Sequence, residues 1–116
     1  MSRGAPRLGP GLIVLAVAAV TACATHGPNA RTITLEAERG FVPSELTLQA
    51  GDRIVFDNRT TRLRTVSGLV ADSDIEFGAQ RVLAYESWTV QFDEPGTYLF
   101  GVTDDPVFTA VVEVAP

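Results

Sequence analysis

Gly40-Phe41-Val42-Pro43-Ser44-Glu45-Leu46-Thr47-Leu48-Gln49-Ala50-Gly51-Asp52-Arg53-Ile54-Val55-Phe56-Asp57-Asn58 decides the fold of this chain. Leu46 and Leu48 alternate with Glu45, Thr47 and Gln49. Ile54 and Phe56 alternate with Arg53, Val55 and Asp57. A period of two places one set of side chains on one face, so each run reads as a half-buried strand. Gly51-Asp52 breaks the pattern between them, as a turn does.

The same reading extends outward. Ile33, Leu35 and Ala37 alternate with Thr32, Thr34, Glu36 and Glu38. Trp88, Val90 and Phe92 share a phase, which reads Trp88 as a core residue, the alternative being an exposed Trp on a recognition surface. Tyr98, Phe100 and Val102 share another face, as do Phe108, Ala110, Val112 and Val114. Gly40, Pro43, Asn58, Gly68, Gly78 and Pro95-Gly96 punctuate the runs. No window supports a long amphipathic helix. Ser67–Gln80 is the least regular stretch and is expected to form a long excursion across a sheet edge. The pattern predicts an all-β, antiparallel Greek-key sandwich of seven or eight strands.

The first residues read differently. Arg3 and Arg7 precede the apolar run Leu12–Val20, and Val20-Thr21-Ala22-Cys23 follows. The run falls short of the ~20 residues that span a bilayer and has the flanks of an export signal. One reading is an ordinary cleaved signal with Cys23 incidental. The other is a bacterial lipoprotein signal, because Val-Thr-Ala-Cys resembles the lipobox whose Cys receives lipid. The organisation expected is a lipoprotein signal over residues 1–22, a flexible tether over 23–31 with Cys23 lipidated, and a domain over 32–116. His26 in the tether reads as solvated. Two or more acyl chains hold a domain at a membrane where one does so only marginally.

Without residues 1–22 the chain keeps seven arginines, no lysine and all fourteen acids, a formal charge of −7. Nucleic acid is not an expected partner, since that binding rests on clustered basic residues. Membrane attachment is expected through lipid alone, because anionic headgroups repel an acidic surface. The only Cys lies at the signal, so the domain is expected to stand without disulfides.

Gly40–Asp52 resembles the second-strand signature of the cupredoxins, specifically the small periplasmic type. Arg53–Asn58 resembles that family's next strand, which ends in Asn. Phe92-Asp93-Glu94-Pro95-Gly96-Thr97-Tyr98-Leu99-Phe100 resembles the approach to the copper loop, and Ala110–Val114 the last strand. The resemblance covers nearly all of residues 32–115. It implies a cupredoxin-like sandwich, and it places the four copper-ligand positions on Arg64, Val102, Asp105 and Phe108. All four are substituted. Residues 27–116 contain no Cys, His or Met, the ligands of an electron-transfer copper site. Arg64 cannot ligate a cation, because a guanidinium has no acceptor lone pair. Arg64 and Asp105, or its neighbour Asp104, are expected to pair as a plug, with Val102 and Phe108 filling beneath; the plainer reading is that Arg64 points to solvent.

Other chemistry finds little support. With no His in the domain and no paired base, no catalytic residues are assigned and an enzyme is not expected. Asp72, Asp74 and Glu76 stand at alternate positions, and Asp104 could join them if the loops meet. This is a weak alternative site for a hard cation, against the plainer reading of a solvated acidic loop. Phe77 and Leu83 stand where a helix-loop-helix calcium motif needs Gly and Glu. Asn58-Arg59-Thr60 matches a glycosylation acceptor but also suits a strand-end turn.

The expectation is therefore a lipid-anchored, non-catalytic cell-envelope module without a cofactor, facing periplasm or cell exterior, with an unnamed envelope protein as partner. The alternative is a metal-handling or electron-transfer cupredoxin-family protein that uses a non-standard site or a partner's ligands.

Overall fold

A computed structural model describes residues 29–73 and 75–116, except for the side chain of Phe77. Nine strands make up the described chain: β1 (Ala30–Glu36), β2 (Gly40–Val42), β3 (Glu45–Gln49), β4 (Arg53–Asn58), β5 (Arg64–Val70), β6 (Glu76–Val82), β7 (Ser87–Gln91), β8 (Gly96–Val102) and β9 (Asp105–Ala115). They form a four-stranded sheet ordered β2-β1-β4-β7 and a five-stranded sheet ordered β3-β9-β8-β5-β6. None of the described residues is helical, and no helix among them is long and apolar enough to cross a membrane.

The alternation read from the sequence sets which residues meet between the sheets. Ile33, Leu35, Ile54, Phe56 and Val90 line the inner face of one sheet. Leu46, Leu48, Val66, Tyr98, Phe100, Phe108, Ala110, Val112 and Val114 line the other. Each fully buried Phe or Leu contributes ~1.5–3 kcal/mol of transfer free energy. Aromatic rings run through this core in contact: Phe108 on Phe41 at 5.3 Å, Phe41 on Phe56 at 5.9 Å, Phe56 on Phe100 at 4.9 Å, and Phe100 on Phe92 at 6.0 Å. Trp88 packs in phase with Val90 and stacks on Phe56 at 5.5 Å.

Five features differ from the sequence reading. The strands number nine because short β2 and edge strand β6 both form. Two pairings are parallel, β1 with β4 and β3 with β9, because the chain changes sheets between β2 and β3 and again between β3 and β4. Much of Ser67–Gln80 is hairpin: β5 pairs antiparallel with β6, with a register shift between Ser67 and Leu69. The weak alternation there follows from the exposed edge position of β6 and from Gly68, where an added Cβ would come within 2.6 Å of the Phe100 ring. Ala37 is exposed, because β1 ends at Glu36 and the turn carries it out of phase. The first strand begins at Ala30, within the stretch expected as tether.

The parallel pairing of β1 with β4 gives the sandwich two distinct ends. Ala30 lies opposite Arg53 and Leu35 opposite Asn58. The chain therefore enters β1 at the end that holds Asp52, whose carboxylate accepts from the backbone N–H groups of Asn29 (3.2 Å) and Gln49 (2.9 Å). Asn58 marks the other end. There Gly40, at φ +80, lets the β1–β2 turn lie directly against the backbone of Val107 and Phe108. A side chain at Gly40 would collide with the Val107 carbonyl.

Tyr98 donates to the Glu94 carbonyl at 2.6 Å. Burial, and then the Glu94 charge, raises the Tyr98 hydroxyl above its ordinary 10.0. The neutral phenol is favoured in the folded state, so its contribution is intact below pH 10.0 and is lost as pH rises through the higher folded value. Denaturant midpoints measured across this range should fall more steeply above pH 10.0 for the parent than for Tyr98→Phe.

Candidate functional site

The site is built around the end of β4. Asn58 is fully buried, and a buried amide must find partners for its donors and acceptor. Its Nδ2 donates to the carbonyls of Arg62 (2.9 Å) and Val82 (2.9 Å), with the Leu83 carbonyl at 3.2 Å. Its Oδ1 accepts from the Thr60 N–H (2.9 Å) and the Thr60 hydroxyl (2.7 Å). Its backbone N–H donates to the Glu86 carbonyl, and its carbonyl accepts from the Tyr85 N–H. One residue, through side chain and backbone, thus fixes both the 59–63 loop and the 83–86 turn.

Thr60 passes this order on. Its hydroxyl oxygen accepts from Nε of Arg64 at 3.1 Å, a role the chemistry dictates because Nε can only donate. Arg64 opens β5, and its whole residue is only 8% exposed. Its Nη1 donates to Oδ2 of Asp105 at 2.9 Å. Its guanidinium carbon lies 5.0 Å from the centroid of the Phe108 ring, within reach of cation–π attraction. Asp105 opens β9, and its Oδ1 accepts from the Val107 N–H at 3.3 Å. Val102 closes β8 directly opposite Asp105 and is half-buried against the core. Phe108 is buried beneath the guanidinium.

Arg64, Val102, Asp105 and Phe108 therefore converge at one end of the sandwich. Asp105 takes the ion pair. Asp104, the other candidate, is exposed in the β8–β9 turn at φ 65. Asp104 does not join the acidic loop. Asp72 and Glu76 are exposed, and Asp74 lies outside the described residues. The Ala71 N–H donates to the Thr97 carbonyl near the start of β8, whereas Asp104 follows its end. At the rise of an extended strand this separates them by about 20 Å. Among the described residues no group of three or more His, Cys, Asp or Glu is placed to hold a metal ion. Cys23 also lies outside the described residues.

The sequence reading missed the Asn58–Thr60 pair as the organiser of the site. The signal was present: an Asn closing a strand with Thr two residues on is the pattern of an Asx-turn.

No family model matches the chain, and neither does any curated protein. Solved structures do. An amicyanin variant in its Cu(I) state aligns over 73% of this chain and 81% of its own at a TM-score of 0.63 and 21% identity. A purple cupredoxin from Nitrosopumilus maritimus aligns over 73% and 99% at 0.64 and 14%. The domain has the cupredoxin fold. A copper-containing nitrite reductase of Thermus scotoductus also aligns, at 0.65 and 16% identity, over 77% of this chain but only 23% of its own. Identities this low speak to fold alone.

A cupredoxin-like domain raises the question of copper, and the donor set at the converged site does not suit it. A blue copper centre uses two imidazoles, a thiolate and a weak axial ligand. Here a guanidinium, an isopropyl group and a phenyl ring offer no lone pair to a metal. The fourth side chain, Asp105, is already engaged by Arg64. The guanidinium would also repel an entering cation.

The ion pair lies between two regimes. Exposed pairs contribute ~0–1 kcal/mol, whereas removing one member of a fully buried pair costs ~3–5 kcal/mol. The Arg64 side chain is 9% exposed and that of Asp105 is 29%. Asp105→Ala leaves a buried cation unpaired and should cost about 2–3 kcal/mol by denaturant unfolding. The double variant Arg64→Met, Asp105→Ala removes both charges and should recover part of that loss.

Proposed function

We propose that this chain is a lipid-anchored, non-catalytic module of the cell envelope, whose cupredoxin-like domain has given up a type 1 copper site and serves in binding or structure. The observation that carries the reading is Arg64. Its guanidinium is buried, hydrogen-bonded to Asp105 and laid on Phe108 at the site where the resemblance implies ligands. Arg64 and Asp105 replace two imidazoles, Val102 a thiolate and Phe108 a thioether. The positions hold complementary charges above apolar filling, an arrangement whose charges balance without a metal. The cupredoxin fold does not by itself carry electron transfer, because activity resides in the site and not in the scaffold.

The anchor rests on Val20-Thr21-Ala22-Cys23 after a short apolar run. Attachment at this end suits the fold, since β1 begins at the end opposite Arg64 and leaves the site end free.

Copper titration of the full chain in detergent tests the loss of the site. Neither Cu(I) nor Cu(II) should raise the melting temperature, and Cu(II) should give no intense visible charge-transfer band. A ligand at a hundredfold excess over its dissociation constant adds ~2.7 kcal/mol of stability, so a real site would be plain. A blue band would overturn the reading in favour of a metal-handling or electron-transfer protein. Cys23→Ala should release the protein from the membrane fraction, and its retention there would count against the lipid anchor.

A further inference from the structure

Beside the ion pair lies a cavity of about 220 Å³ whose walls include Arg62, Arg64, Thr65, Thr103, Asp104 and Asp105. It is smaller than the ~300–1,000 Å³ of pockets that take drug-sized ligands, so its occupant must be small. Its charged groups are not all used. Arg64 carries five N–H donors, and its hydrogen bonds are one through Nε to Thr60 and one through Nη1 to Asp105. Nη2 makes no hydrogen bond among the described residues. Neither the Arg62 guanidinium nor the Asp104 carboxylate has an ion-pair or hydrogen-bond partner among them. Two threonines adjoin there, Thr65 in β5 and Thr103 in the β8–β9 turn, held together by the Thr103 N–H donating to the Thr65 carbonyl at 3.1 Å.

The signs of these charges narrow the ligand. A simple anion drawn to Arg62 and Arg64 would face the carboxylates of Asp104 and Asp105. A simple cation would face two guanidinium groups. A small molecule carrying both charges meets complementary groups at each end. We propose that this cavity binds a small zwitterion of the α-amino-acid type. Its carboxylate takes the free donors of Arg64 and Arg62, its ammonium meets Asp104, and the threonine hydroxyls serve the remaining polar atoms. Arg64 is then more than filler: its Asp105 and Thr60 contacts orient the guanidinium, and its open edge recognises the ligand. The cavity's volume suits a short side chain better than a large one.

This inference rests on the reading of the domain as a binding module. The full chain in detergent is titrated with glycine, L-serine and L-tryptophan, with acetate and methylammonium as single-charge controls. Calorimetry and the amide resonances of Thr65, Thr103 and Asp104 are followed. Glycine and serine should saturate with dissociation constants of about 1 mM or below. Tryptophan, acetate and methylammonium should each bind at least about tenfold more weakly, as should glycine to Arg62→Gln and to Asp104→Asn. Both positions are exposed, so these variants should keep the parent melting temperature. Acetate binding as tightly as glycine, unchanged affinity in both variants, or no saturation by glycine or serine would each overturn the zwitterion site. The last result together with no copper response defeats this inference alone, whereas a blue copper band defeats the binding-module reading itself.

Discussion

A positive charge withdrawn from water must be answered by the protein around it, and Arg64 is the point where this domain meets that demand. Its 8% exposure leaves little room for hydration. The answer comes from three directions: a carboxylate from the start of β9, a hydroxyl from the loop after β4, and the face of an aromatic ring below. Each of these groups is itself held. Asp105 is steadied by the Val107 N–H, Thr60 by Asn58, and Phe108 by an edge-on contact with Phe41. Strands from both sheets are thereby committed to one end of the sandwich.

The order runs inward as well. Phe108 begins a line of touching rings that continues through Phe41, Phe56 and Phe100 to Phe92. Edge-to-face and tilted contacts of this kind are directional, so the site is seated on a core whose geometry is specified and not merely greasy. Gly40 permits the close approach that seats the β1–β2 turn under Val107 and Phe108. The absence of a Cβ there matters to the site although Gly40 takes no part in its chemistry.

Much of this was legible in the sequence, and the limits have physical causes. Strands with one wet face announce themselves by alternation, so Leu46–Leu48, Ile54–Phe56 and the Phe108–Val114 series could be assigned to the interior without coordinates. The parallel pairings could not, because period two specifies a face and not a direction. Edge strand β6 was obscured because its residues on both faces are largely exposed, which removes the apolar signal. At the site, opposite charges at Arg64 and Asp105 suggested a pair. Which of two adjacent aspartates would close it depends on the turn, and the φ of 65 at Asp104 throws that residue outward. Asn58 and Thr60 were visible only as a short polar motif whose role needed the third dimension. The acidic residues Asp72 and Asp104 show the converse, since similar composition in two loops gave no hint that β8 holds them apart.

The direction in which β1 runs has a mechanical side. The chain enters this strand at Ala30, and β1 is an interior strand, bonded to β2 on one edge and to β4 on the other. A pull on the N-terminus against a load at the Arg64 end acts along the strand axis. It strains the β1–β4 ladder bonds together, in shear, where a pull across the sheet would open them one at a time. A domain held by its N-terminal end while something is gripped at the far end is thus loaded in the direction in which a sheet resists best.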